Sequence, residues 1–266
     1  MIFIERKKVS SLEEIAKKEF LSNSAEIFPI EFENQRYWIK RARQTKANKI
    51  QKFFYRFFPL ELLIPSLNKT ALQALDYETS KLEKFRSLGI NTPKVVYKCD
   101  DFFVLEDCGN SVNAYLRDKN ITKEKFYDFV EKLLFELAKI HNQNEFHGGT
   151  QIRNFTYKND NVYVIDLEES FSNSTDIETL KFRDFLLFIL SFVKMKELSF
   201  EVDYFFIINR YKELTKSDDL TQKLRNFSKK ISFFIWLSNV SFIKKRLGSD
   251  VKNFFKLFEI LNSLEK

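Results

Sequence analysis

The sequence predicts an α+β chain in two lobes: a small N-terminal lobe with a mixed sheet and one helix, residues 1–105, and a predominantly helical C-terminal lobe, residues 106–266. Three observations predict it. Short β-type runs separated by polar turns crowd the N-terminal part. Apolar positions from residue 122 onward recur at helical spacing. No segment resembles a linker, and 266 residues are enough for a full core, in one two-lobed domain or two small ones.

The elements follow in order. Residues 26–32 and 36–39 flank the turn Glu33-Asn34-Gln35 and read as a hairpin ending at Lys40. Over residues 71–88, Leu72, Leu75, Leu82 and Phe85 suit a helix, with Gly89 as its stop and Pro93 beyond. Val95-Val96-Tyr97 and residues 102–105, separated by Lys98-Cys99-Asp100-Asp101, read as a strand pair, and residues 106–109 as a hinge. Residues 122–141 form a helix with Phe126, Phe129, Val130, Leu133, Leu134, Leu137 and Ile140 on one broad face. Residues 162–165 are a short strand presenting Asp166 at its end, and everything from Asp176 onward reads as helical, with glycine only at Gly248.

Composition excludes some classes. A formal charge of +7 and 31 phenylalanines favour anionic partners: nucleotide, nucleic acid or anionic lipid. The longest apolar runs, residues 185–193 and 233–236, fall far short of the roughly 20 residues that a spanning helix requires. Residues 1–10 lack the apolar stretch of a signal peptide, and Cys99 and Cys108 are too few for a disulfide framework, so a cytoplasmic, reducing location is expected.

The chemistry concentrates in His147-Gly148-Gly149-Thr150-Gln151-Ile152-Arg153-Asn154, followed twelve residues after Asn154 by Asp166 in Val164-Ile165-Asp166-Leu167-Glu168. In the kinase pattern H-x-D-x-x-x-x-N the Asp takes the acceptor proton and the Asn holds a metal ion, and a later Asp, opening D-F-G, holds metal too. Here His, Asn and the later Asp are in register, but the base position is Gly149.

On these residues, with Glu78, Gly89 and Pro93 and with Leu137-Ala138-Lys139-Ile140-His141 before Phe146-His147-Gly148, the chain resembles the protein-kinase-like phosphotransferase superfamily over about residues 23–193. It is most similar to bacterial lipopolysaccharide core (Kdo/heptose) kinase-like proteins, and also to aminoglycoside phosphotransferases and the small kinase of the KEOPS complex. The resemblance implies a kinase-like fold using ATP and Mg²⁺. By it, Lys40 contacts the α and β phosphates and Glu78 holds it by an ion pair, although Arg41 and Lys46 crowd the same stretch. Ser24, in Ser22-Asn23-Ser24-Ala25-Glu26, takes the place of a glycine in the phosphate-covering loop. Backbone groups of Glu106 and Cys108 would hydrogen-bond adenine, unless this is only a strand end with a solvated acidic pair. Asn154 and Asp166 would coordinate Mg²⁺, and Glu168 could add a third carboxylate. His141 is expected in the core, His147 as a scaffold of the loop, and Asp184 as its brace.

A missing general base removes typically about 10²- to 10⁴-fold of rate, roughly 3 to 5 kcal/mol. Positioning and charge neutralisation supply most of phosphoryl transfer, so slow activity survives in one reading and a pseudokinase results in the other. A replacement base could come from Glu168, Glu169 or an acid elsewhere, and Gln151 or Arg153 could position an acceptor.

An insertion, about residues 44–70, follows the strand Lys. Placed on a helix, Ile50, Phe53, Phe54, Phe57 and Phe58 make an apolar stripe, with Lys46, Lys49, Lys52 and Arg56 largely off it. Residues 46–58 therefore read either as an interfacial helix on an anionic membrane or as a helix packed on the N-lobe. Lipopolysaccharide-kinase-like proteins carry such an insertion here, and their acceptors are lipid-anchored sugars at the inner leaflet. A second basic, aromatic stretch runs from Lys229 through Lys244-Lys245-Arg246. The expectation is an ATP/Mg²⁺-dependent phosphotransferase acting on a sugar or lipid-linked hydroxyl at the inner face of the cell membrane. A nucleotide-binding pseudokinase regulating a partner is the alternative, and nucleic-acid association lacks a specific motif.

Overall fold

The computed structural model describes residues 11–238 and Leu257. The expectations for residues 1–10, for Lys244-Lys245-Arg246 and for Gly248 lie outside the described residues.

Ser11 and Glu14 form a capping box, each side chain accepting from the other's backbone N–H at 3.2 Å, and open α1 (Leu12–Ser22). Its periodicity escapes a sequence reading because it buries little, Ala16 being its one fully buried residue. β1 (Ile27–Phe32) and β2 (Gln35–Arg41) form the expected hairpin. Its turn is two residues, Glu33 and Asn34, at φ 50° and 61°, the left-handed pair that a twisted hairpin demands. α2 (Lys49–Phe57) and a 3₁₀ turn (Glu61–Leu63) make up the insertion, and a second capping box, Thr70 with Gln73, opens α3 (Ala71–Ser87). Besides α3 and the helix read in the insertion, the N-terminal part thus carries α1, which the sequence did not suggest.

β3 (Val95–Lys98) and β4 (Phe102–Glu106) complete a four-stranded sheet of order β1-β2-β4-β3, antiparallel throughout. α1 covers one face over Phe28, Ile30, Ile39, Phe102 and Val104. α3 contributes Leu75, Leu82 and Phe85 to the main core, while Leu72, expected on the same face, is 44% exposed.

β5 (Asn110–Ser111), α4 (Val112–Leu116) and α5 (Lys123–Asn142) start the second lobe. After a 3₁₀ turn (Ile152–Asn154), β6 (Phe155–Lys158) and β7 (Asn161–Val164) pair with β5 in a three-stranded sheet, where the sequence suggests only the last strand. β6 is masked in sequence by its brevity and by abutting the loop motif. α6 (Ile177–Val193), α7 (Tyr204–Thr215) and α8 (Leu220–Ser238) follow. Phe126, Phe129, Phe155, Phe185, Phe188 and Phe192 are buried in this core. Each such burial contributes about 1.5–3 kcal/mol. Among the described residues, no helix is long and apolar enough to cross a membrane.

The insertion packs on the C-lobe rather than on the N-lobe sheet. Thr45 and Lys69 close its base with reciprocal backbone bonds of 3.0 Å, and Leu67 N–H donates to Ser170 O at 2.8 Å. Ile64 and Tyr55 pack with Phe171 and Leu180, and the 3₁₀ turn lies on α6. The aromatic stripe of α2 stays in solvent: Phe53, Phe54 and Phe57 are 60%, 40% and 59% exposed.

Candidate functional site

Antiparallel pairing holds Lys40 between Ile27 on β1 and Phe103 on β4, so its side chain leaves the sheet at a fixed place under the lobe junction. There its ammonium meets Glu78 Oε1 of α3 at 2.8 Å, Asp166 Oδ1 at 2.9 Å and Glu168 Oε2 at 3.7 Å. Burial alone would lower the Lys40 pKa, but the three carboxylates prevail and hold it above the ordinary lysine value. Burial likewise acts to raise the Asp166 carboxyl, and Lys40 overrides it, so Asp166 titrates below its usual range. Arg41 and Lys46 do not compete for this place: Arg41 turns to the carbonyls of Phe20, Asn23 and Ala25, and Lys46 is exposed.

Asp166 itself is left-handed, at φ 63°, a conformation that costs a non-glycine residue about 1 kcal/mol and clusters at functional sites. The neighbouring bond from Ile165 N–H to Asn154 O, 3.0 Å, ties it to the loop before it. That loop is braced from below. Fully buried Asp184 of α6 accepts the backbone N–H of His147 at 2.6 Å and of Gly148 at 3.0 Å. His147 is also fully buried, and desolvation lowers its pKa to about 4, so the ring is neutral; its Nδ1 accepts from Gly149 N–H at 3.1 Å. Lys81, one turn after Glu78 on α3, donates to His147 O at 2.9 Å and lies over the Phe146 ring. Sequence reasoning missed Lys81; the available signal was a lysine among Glu78, Leu82 and Phe85 on the buried side of a helix.

Gly149, where the sequence pattern expects a base, has specific surroundings. A side chain there would begin 3.5 Å from Asn154 Nδ2 and 3.8 Å from Glu169 Oε1, ordinary contacts that leave room for it. Arg183 of α6, also missed in sequence, donates to Gly148 O and, at 3.2 Å, to Glu169 Oε2. Gln151 caps the 3₁₀ turn and donates its backbone N–H to Gly149 O at 2.6 Å. Glu168 is held instead by Lys40 and by Arg43 Nη2 at 3.1 Å.

Lys40, Glu78, Glu106, Cys108, Asn154 and Asp166 line one interlobe cleft of about 470 Å³, with Trp38 and Leu105 as apolar walls. Cys108 belongs to those walls, since burial pushes its thiol up to about 12. The hinge is not a solvated acidic pair: Asp107 accepts from Trp38 Nε1 at 2.9 Å and pairs with Lys158 at 3.1 Å, joining β2 to β6. Gly109 is required there, because a Cβ would lie 2.1 Å from Tyr157 O. Ser24 is exposed and does not line the cleft; Arg41 draws Asn23 and Ala25 toward β2, and Glu26 and Ile27 reach the cleft instead. Among the described residues no three His, Cys, Asp or Glu side chains gather as a metal site. The residues fit Mg²⁺ held partly by phosphates: Asn154 Nδ2 donates to Gly149 O at 2.7 Å, which commits its nitrogen and leaves its oxygen available, and Asp166 lines the same cleft.

A solved structure of WaaP in complex with acyl carrier protein superimposes on this chain with a TM-score of 0.50, at 12% identity, covering 81% of this chain and 88% of that one. The chain has the protein-kinase-like fold. In kinase-like terms, β1 to β4 with α3 form the N-lobe, and the cleft lies between the lobes. A second solved structure, ADP-bound aminoglycoside phosphotransferase APH(2'')-Ib, is 11% identical over 93% of this chain and 97% of that one, with a TM-score of 0.34, too slight to add to the kinase-like assignment. An uncharacterized protein of Haemophilus influenzae is 30% identical over 173 residues, 65% of either chain. The chain therefore spans just under two thirds of that curated relative's length. No protein-family model matches.

Proposed function

We propose that the chain is an ATP- and Mg²⁺-dependent phosphotransferase of the lipopolysaccharide-kinase-like type, acting on a sugar or lipid-linked hydroxyl at the cytoplasmic face of the membrane. The observation that carries this reading is the buried Lys40 ammonium, paired at once with Glu78 at 2.8 Å and Asp166 at 2.9 Å in a cleft that Asn154 also lines. In this reading the lobes divide at residues 105 and 106. Adenine lies against Trp38 and Leu105, which stand side by side on the sheet, and against the Glu106 carbonyl and the Cys108 backbone, since the Glu106 N–H is already given to Lys94 O at 3.0 Å. Lys40 neutralises phosphate charge and Glu78 fixes its direction. Asn154 and Asp166 hold the metal, which supplies charge neutralisation on the transferring phosphoryl group. His147 is a loop scaffold: neutral, buried, and committed to the Gly149 N–H. Gln151 shapes the loop through its backbone.

The membrane face of the proposal rests on α2. Its three exposed phenylalanines project into solvent with Lys49, Lys52 and Arg56 on the same short helix, which suits insertion at an anionic bilayer surface. A pseudokinase is the second reading, and Gly149 favours it.

A thermal-shift titration with ATP, with and without Mg²⁺, tests the assignment on wild type, Lys40→Ala and Asp166→Ala, each against its own ligand-free midpoint. A ligand at about 100 times its Kd stabilises the native state by roughly 2.7 kcal/mol. Mg²⁺-dependent stabilisation in the wild type that both variants lose supports the proposal. A wild type indifferent to ATP rejects it.

A further inference from the structure

We propose that Glu169 is the general base that position 149 lacks. The proposal rests on the phosphotransferase reading and adds the missing catalytic residue to it.

The geometry narrows the choice to one carboxylate. The carboxylate nearest to a side chain at position 149 is that of Glu169, whose Oε1 lies 3.8 Å from where its Cβ would stand. The carboxylate therefore borders the region that an aspartate side chain at position 149 would enter, reached from the segment after Asp166 instead of from the loop. Glu168, one residue earlier, faces Lys40 and Arg43. Asp184 is fully buried beneath the loop and occupied by its N–H groups. His147 is buried and neutral, with its Nδ1 already accepting a proton donor.

Glu169 is also accessible and held in place. Its side chain is 37% exposed and lines a pocket of about 220 Å³ with Arg43, Lys46, Lys69 and Glu168, an entry for an acceptor that the nucleotide cleft does not provide. Arg183 anchors Oε2 at 3.2 Å and the Gly148 carbonyl together, leaving Oε1 without a partner among the described residues. Gly148, at φ 103°, makes the approach feasible: a Cβ there would stand 2.9 Å from the Glu169 Cβ.

In the step, the acceptor hydroxyl oxygen bonds to the γ-phosphorus as its proton passes to Glu169 Oε1. The bond from the γ-phosphorus to the β–γ bridging oxygen breaks, and its electron pair leaves with ADP.

The test uses the full chain with Mg·ATP as the probe and water as the acceptor, reading nucleotide binding by thermal shift and turnover by phosphate release. Glu169→Gln is isosteric and is expected to keep the wild-type ATP-dependent shift while losing about 10²- to 10⁴-fold in turnover. Adding Gly149→Asp to Glu169→Gln is expected to restore much of that turnover, a rescue that a merely structural Glu169 would not permit. Glu169→Gln turning over at the wild-type rate overturns the proposal, as does a slow Glu169→Gln that still binds Mg·ATP and is not rescued. A wild type that binds Mg·ATP without measurable phosphate release also overturns it and leaves the pseudokinase reading standing. Absence of any ATP-dependent shift in the wild type removes the phosphotransferase reading itself.

Discussion

Lys40 and Asp166 meet across the cleft, Nζ to Oδ1 at 2.9 Å, although 126 residues separate them in the chain. The contact joins a strand of the N-lobe to the end of a C-lobe strand, and with Glu78 it assembles a three-charge group. Removing the lysine leaves both carboxylates without their shared cation. Lys40→Ala strands Glu78, which is only 3% exposed, and should destabilise the protein by about 3–5 kcal/mol. Chemical denaturation should show a lowered midpoint with an unchanged slope, and Lys40→Met with Glu78→Leu should recover most of the loss.

The adjacent glycines of the loop should answer differently to alanine. At Gly149 the new methyl meets nothing closer than 3.5 Å on an ordinary backbone, so Gly149→Ala should change stability by no more than about 0.5 kcal/mol. At Gly148 the same change forces a Cβ onto Glu169 at 2.9 Å and onto a backbone at φ 103°. Gly148→Ala should cost about 1–3 kcal/mol and displace Glu169. Paired urea titrations of the two variants distinguish these outcomes.

Stability should rise with pH through two windows. Burial brings Lys81 down to about 7 in the folded protein against 10.5 ordinarily, so between those values the unfolded chain holds a proton that the folded one lacks. Stability then increases with pH there by up to about 1.4 kcal/mol per unit, and Lys81→Met should flatten this window. His147, lowered to about 4 from 6.5, has the same sign: stability is lost as pH falls from 6.5 toward 4, and His147→Gln should flatten that lower window. Denaturation midpoints measured across pH in wild type and both variants check the assignments.

The α2 phenylalanines should matter for surface binding and not for folding. Because Phe53 and Phe57 are 60% and 59% exposed, Phe53→Asp with Phe57→Asp should leave the melting temperature nearly unchanged. The same pair should abolish co-sedimentation with anionic vesicles, and raised salt should weaken wild-type binding, at about 1 kcal/mol per basic residue near the surface. Neutral vesicles serve as the control.

Local chemistry made much of the fold readable. The turn after residue 32, the helix over residues 71–88 with Gly89 as its stop, and the apolar face of residues 122–141 each depend on neighbours in the chain; each stands where the sequence puts it, the turn one residue shorter because Gln35 already pairs in β2. α1 and β6 were not readable, since one buries little and the other is four residues long. The insertion showed its amphipathic pattern, but only packing decided that Ile64 and Tyr55 meet Phe171 and Leu180 of the C-lobe while the phenylalanine stripe faces water.

The site divides in the same way. By itself the sequence determined which residue types are present at which spacing: His147, Asn154 and Asp166 in register, Glu78 available on a helix, and no carboxylate at Gly149. Only the tertiary structure decided that Glu169 stands beside that glycine while Glu168 turns to Lys40 and Arg43. Spacing along a chain specifies local conformation, whereas the direction of one carboxylate depends on Arg183, Gly148 and Lys40, which come from three distant segments brought together by folding.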